Sequence, residues 1–232
     1  MTRAAALIWY WSLSILPFTA IVTFILTLTV CSQILNSISP LETYPPISLL
    51  GIGPAYYYFV CGFILLLSQF LIIVIGRVQF LCQYQSIIRY GLIYTIHAVA
   101  FVSCVFFLIM TVVSHDIHPH LHFIGAFGMF LLISVYCIFH TFVVFYLYAH
   151  RSKAPEHSNV ILPLWFLACT VLLVIFFVVW IETHQSIPQY IAAGMPFLYF
   201  VGFVPQFWKQ ATTTTQTYCA PGSMHDPSEI SV

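Results

Sequence analysis

Charge is what this sequence has least of. Only 5% of its 232 residues are Asp, Glu, Lys or Arg, against 61% hydrophobic, where a soluble domain is roughly a quarter charged. A soluble globule is excluded. The six basic residues are scattered and matched by six acidic ones, so there is no clustered positive patch of the kind that holds a phosphate backbone, and nucleic acid is excluded as a partner. No glycine-rich phosphate loop and no G-x-S-x-G turn occurs. No N-x-S/T acceptor exists either, because Asn36 and Asn159 are followed by the wrong residues. Carboxylates are missing from every long apolar run, which removes the paired acids that intramembrane hydrolases and proton-coupled transporters use. The expectation is a protein that is not an enzyme and holds no cofactor.

What the sequence has in abundance is apolar length. A bilayer takes about 20 apolar residues per helical crossing, and a charge at mid-membrane costs roughly 2.5 to 3.5 kcal/mol, so the charges mark the ends of the crossings. They leave six charge-free runs: 4–41, 43–76, 90–115, 117–150, 157–181 and 183–208. The fold class is therefore all-α, a polytopic six-transmembrane-helix bundle. Its helices are expected near 12–35, 55–76, 91–113, 123–148, 160–181 and 190–207. The first run is too long for a cleaved signal peptide and reads as a retained anchor.

Basic residues orient the bundle. With the amino terminus inside, Arg3, Arg77, Arg89, Arg151, Lys153 and Lys209 all fall on the cytoplasmic side, and Glu42, Asp116 and Glu182 fall outside. Both termini are then cytoplasmic. The linker RVQFLCQYQSIIR, from Arg77 to Arg89, is expected along the cytoplasmic surface. The transmembrane domain spans 1–208, and the Thr-, Ser- and Pro-rich stretch 209–232 reads as a disordered cytoplasmic tail.

Seven cysteines do not imply disulfides, since Cys61, Cys104, Cys137 and Cys169 fall inside predicted helices and Cys82 and Cys219 face a reducing cytosol. Cys82 and Cys219 stand where palmitoylation occurs, although unmodified thiol explains them as well. Tyr84-Gln-Ser-Ile87 matches a tyrosine-based sorting pattern, and the terminal Ile230-Ser231-Val232 has the form of a carboxyl-terminal strand-addition ligand. Both matches are short.

Intramembrane polarity is confined to a few residues, with Gln69, His97 and His140 foremost. His97 and His140 sit at similar depth on an antiparallel helix pair. Either they ligate a haem or metal, or each is a neutral imidazole hydrogen-bonded across helices. The third-to-fourth hairpin turn carries His115, Asp116, His118, His120 and His122. That turn is a solvated connection broken by Pro119, a pH sensor in an acidic lumen, or a metal site; no metal is expected.

Two segments resemble one family. Pro46-Ile47-Ser48, Gly51 and Pro54 match a P-x-I-S-x-x-G-x-x-P signature before the second helix. His122, Gly125, Ala126, Phe130, Val135 and Tyr136 match an H-x-x-G-A-x-x-x-F segment that ends in Val-Tyr. The chain thus resembles the DRAM and Sfk-type six-span proteins, the damage-regulated autophagy modulators and their relatives. It departs from them at Leu49, Ala55 and around Met195, where the family pattern has acidic residues, so no role of those carboxylates carries over.

The resemblance implies a non-enzymatic membrane regulator of autophagy and lysosomal function, or of phosphoinositide and phospholipid homeostasis. Its partners would be membrane lipids and membrane or cytosolic proteins, at lysosome, endomembrane or plasma membrane. Relatives that remodel glycosylphosphatidylinositol anchors in the Golgi are the alternative. A haem electron carrier built on His97 and His140 is a third.

Overall fold

A computed structural model of the chain describes residues 3–38, 45–154 and 157–219. Those residues form seven α-helices: α1 (Arg3–Asn36), α2 (Tyr56–Cys82), α3 (Tyr90–Val112), α4 (Pro119–Ala149), α5 (Ile161–Thr183), α6 (Ser186–Val201) and α7 (Val204–Cys219). Six helical stretches are long and apolar enough to cross a membrane, the last of them running from α6 into α7 over Ser186–Thr213. The helices form because a chain in hydrocarbon must pair every backbone N–H and C=O within itself. Being apolar around their whole circumference, they bury one side in protein and leave the other for lipid. Ile8, Phe142 and Tyr57 are 67%, 67% and 75% exposed. That would be untenable in water and is ordinary against acyl chains.

From α1 to α6 each helix packs on the next in sequence, and α1 closes on α6 and α7, so the bundle is a ring in chain order. One end of the ring carries Arg89, Arg151, Lys153 and Lys209, and the other carries Asp116 and Glu182. We call these the basic and acidic ends. Close approach of α3 and α4 depends on Gly125, where a Cβ would meet the Met110 backbone nitrogen at 2.7 Å. The acidic half of the α4–α5 seam is filled by rings, with Phe130 5.7 Å from Phe177 and 5.4 Å from Trp180 between centroids.

Three expectations from the sequence change. First, α2 continues past residue 76 to Cys82, so Arg77 lies inside the helix and is fully buried, not on a surface linker. The physical reason is that Val78, Phe80 and Leu81 carry the apolar face onward and neighbouring helices supply partners for the guanidinium. Second, the crossing expected over 190–207 is two helices that meet at Gly202 and Phe203. Helix α7 then continues to Cys219 along α1, where Trp11 and Trp208 meet edge to face at 4.7 Å. Residues 209–219, read from composition as the start of a tail, are therefore helical. Third, Pro119 starts α4 and does not break it; a proline at the first helical position has no N–H to leave unpaired. Glu42, Glu156, Asp226, Glu229 and Ile230-Ser231-Val232 lie outside the described residues.

Candidate functional site

The P-x-I-S signature forms two short 3₁₀ turns, Ile47–Gly51 and Gly53–Ala55. Their repeated breakers bar a longer helix. They are fastened to the bundle by specific bonds. The Ile47 N–H donates to Oε1 of Gln189 on α6 at 3.0 Å, and the Tyr190 hydroxyl donates to the Pro45 carbonyl at 2.9 Å. Gly51 lies against the Phe59 ring, which a Cβ would meet at 2.8 Å, and Gly53 takes φ 53°, the left-handed region that favours glycine. Ile47, Leu50, Gly51 and Ala55 are buried, Ser48, Leu49 and Ile52 half-buried, and Gly53 and Pro54 exposed. Beneath this loop lies an apolar cavity of about 60 Å³ among α1, α2, α3, α4 and α6, lined by Ile47, Phe63, Phe107, Met129, Gln189 and Phe197 among others.

At the opposite, basic end is a buried polar network that the sequence reading did not assemble. Arg77 Nε donates to Nε2 of His140 at 2.8 Å, and its Nη1 donates to Oε1 of Gln206 on α7. Because Nε2 of His140 accepts, the ring proton sits on Nδ1, which donates to the Tyr199 hydroxyl at 2.7 Å. Tyr199 in turn reaches the Cys137 carbonyl at 3.2 Å and Thr141 at 3.1 Å, and Thr141 meets Thr170 at 3.1 Å. The guanidinium lies between two rings, 5.0 Å from the centroid of Phe80 and 4.7 Å from that of Phe203. Arg77, His140 and Tyr199 are all 0% exposed. Helices α2, α4, α5, α6 and α7 each supply a member.

This arrangement bears directly on the histidine pair. His97 and His140 do meet, with ring centroids 6.1 Å apart at right angles. Both nitrogens of His140 are engaged, however, so neither offers a lone pair to an iron. His97 pairs Nδ1 with the Ile93 carbonyl at 2.7 Å. His140 fits the reading of an imidazole hydrogen-bonded across helices, whereas His97 bonds within its own helix and its Nε2 is buried without a partner among the described residues; the haem reading fails at His140.

The hairpin turn is looser than its composition. His115 and His122 rings meet at 5.4 Å, and His122 Nδ1 donates to the Val113 carbonyl at 2.8 Å. Asp116 accepts from Ser114 Oγ, whereas His118 and His120 are exposed. Among the described residues no group of three or more His, Cys, Asp or Glu is placed to hold a metal ion. Gly125 of the second signature serves the α3–α4 seam and Ala126 is buried, and Gln69 Nε2 reaches Thr23 at 3.3 Å and Thr19 at 3.5 Å.

Arg77, Tyr199 and Gln206 were missed as members of a site. For Arg77 a signal existed: the apolar residues of VQFLC beyond it continue the helix by more than a turn. The others carry no mark in a single sequence. No curated protein matches the chain and no solved structure does. Residues 8–216 match the family described as Frag1/DRAM/Sfk1/Cwh43P N-terminal domain, in agreement with the resemblance of the two signature segments, and the chain belongs to that family.

Proposed function

We propose that this chain is a non-enzymatic multi-pass membrane regulator of the DRAM-like kind. It acts in autophagy and lysosomal function or in phosphoinositide and phospholipid homeostasis, with its first loop as the contact surface. The observation that carries this reading is the fastening of that loop: buried on its inner side, bonded to α6 through Gln189 and Tyr190, and presenting Ser48, Leu49, Ile52 and Pro54 outward. A rigid loop on a helical scaffold is the usual carrier of recognition, and the small cavity beneath it is apolar and aromatic-lined. The charge asymmetry supports cytoplasmic termini and, with them, a lumenal or extracellular side for this loop.

The test is complementation. Cells lacking the protein are given the wild type or a Leu49→Arg/Pro54→Ala variant, checked for equal amount and equal location. Autophagic flux, phosphoinositide levels and surface glycosylphosphatidylinositol-anchored proteins are then measured. Loss of rescue in flux or phosphoinositides is expected. Full rescue by the variant removes the loop from the reading. If deletion changes only the anchored proteins, anchor remodelling replaces regulation.

A further inference from the structure

Among the described residues, the hydrogen-bonding partners of the Arg77 cation, His140 and Gln206, are neutral. Among the described residues the only carboxylates, Asp116 and Glu182, stand at the other end of the bundle. Taking such a charge out of water is costly unless a counter-charge accompanies it. The hydrogen bonding is also incomplete. Among the described residues, Nη2 of Arg77, Nε2 of Gln206 and both ring nitrogens of His157 are buried without a partner, in side chains 0%, 3% and 1% exposed. Gln206 is already bonded to Arg77, and His157 shares the Phe80 ring with it, at 5.7 Å between centroids. The unpaired groups are overwhelmingly donors: two N–H on the guanidinium, two on the amide and one on the neutral imidazole. A donor-rich, positively charged cluster is complementary to an oxyanion and unsuited to a metal ion.

We propose that Arg77, Gln206 and His157 form a buried binding site for a single oxyanion, a phosphate group above all, within the basic end of the bundle. Arg89, Arg151, Lys153 and Lys209 stand at that same end and raise the local concentration of anions there. The phosphate comes from a lipid headgroup or from a free phosphate; the chemistry is shared. The site is independent of the first loop, which lies at the opposite end.

The experiment uses the full chain purified in a phosphate-free non-ionic detergent, with unfolding followed by temperature. One arm compares sodium phosphate with sodium chloride at equal ionic strength. The other compares micelles doped with phosphatidic acid against micelles doped with diacylglycerol. Saturating ligand is expected to raise Tm by about 5 °C. A rise with free phosphate identifies a soluble source, and a rise only with phosphatidic acid identifies the headgroup. No rise in either arm overturns the proposal.

Because Arg77→Gln risks misfolding, Gln206→Glu is the decisive variant. It places a carboxylate against the guanidinium, so it should raise the ligand-free Tm and abolish the ligand response. An undiminished response in that variant overturns the site. Glu156→Gln should leave the affinity within about twofold, a change of less than half a kcal/mol. A tenfold gain would mean that the Glu156 carboxylate fills the site itself, and would overturn the proposal of a separate ligand.

Discussion

The Nε of Arg77 and the Nε2 of His140 are 2.8 Å apart although 63 residues separate them in the chain. That bond fixes the tautomer of His140, and the tautomer sets the direction of every bond after it, from imidazole to phenol to carbonyl. A single arginine thus orders a line of donors through α2, α4 and α6.

Removing His140 should therefore cost more than its own packing. His140→Leu strands a buried cation with one partner fewer, and the expected loss is about 3 kcal/mol. In an Arg77→Met background the same change should cost less than half as much, since no charge is left to strand. A double-mutant cycle by thermal or SDS denaturation in micelles measures the coupling; additive losses would show the two residues to be energetically separate.

His157 lies on the α4–α5 connection, outside the membrane-spanning segments, and its burial, reinforced by the Arg77 guanidinium, pushes its pKa down from 6.5 to about 3. Its folded-state value is below its unfolded one, so the unfolded chain binds more protons between them. Stability is fully present above pH 6.5 and falls as the pH drops through that window, by up to about 1.4 kcal/mol per pH unit. Thermal unfolding at pH 7.5 and pH 5 should show the loss, and His157→Phe should shrink it. An equal pH effect in the variant would assign it to the other histidines.

Two glycines at helix positions should behave oppositely. Gly125→Ala drives a Cβ into the Met110 backbone, whose Cα would lie 3.0 Å away, and backbone cannot swing aside as a side chain can. A loss of about 1 to 3 kcal/mol is expected. Gly91→Ala meets nothing within 4 Å and should change stability by no more than about 0.5 kcal/mol. Comparable losses at both sites would mean that the α3–α4 seam is not the limiting contact.

The first loop depends on Gln189. Gln189→Leu leaves the buried Ile47 N–H without an acceptor, and a destabilisation of about 1 to 3 kcal/mol follows. Gln189→Glu keeps an acceptor there and should lose less. Melting temperatures of the two variants side by side decide it, and equal losses would point to cavity shape over the hydrogen bond.

The number of crossings, the all-helical class and the family were legible in the sequence, because hydrocarbon imposes a length on any helix and expels charge from it. The two signature segments were legible as well, since breakers such as Pro46, Gly51, Gly53 and Pro54 act on their own backbone. Where charge was taken only as a boundary marker, the reading placed Arg77 on the surface. Burial of that guanidinium depends on His140, Gln206, Phe80 and Phe203, three of which lie more than sixty residues away, and no local rule links them. The sequence listed His97 and His140 as a pair, but only the packed bundle determined that His140 spends both nitrogens on Arg77 and Tyr199. Length and polarity are properties of a segment and can be read along it; the partner of a buried polar atom is a property of the assembled ring, and it exists only once α1 has closed on α6 and α7 has brought Gln206 against α2.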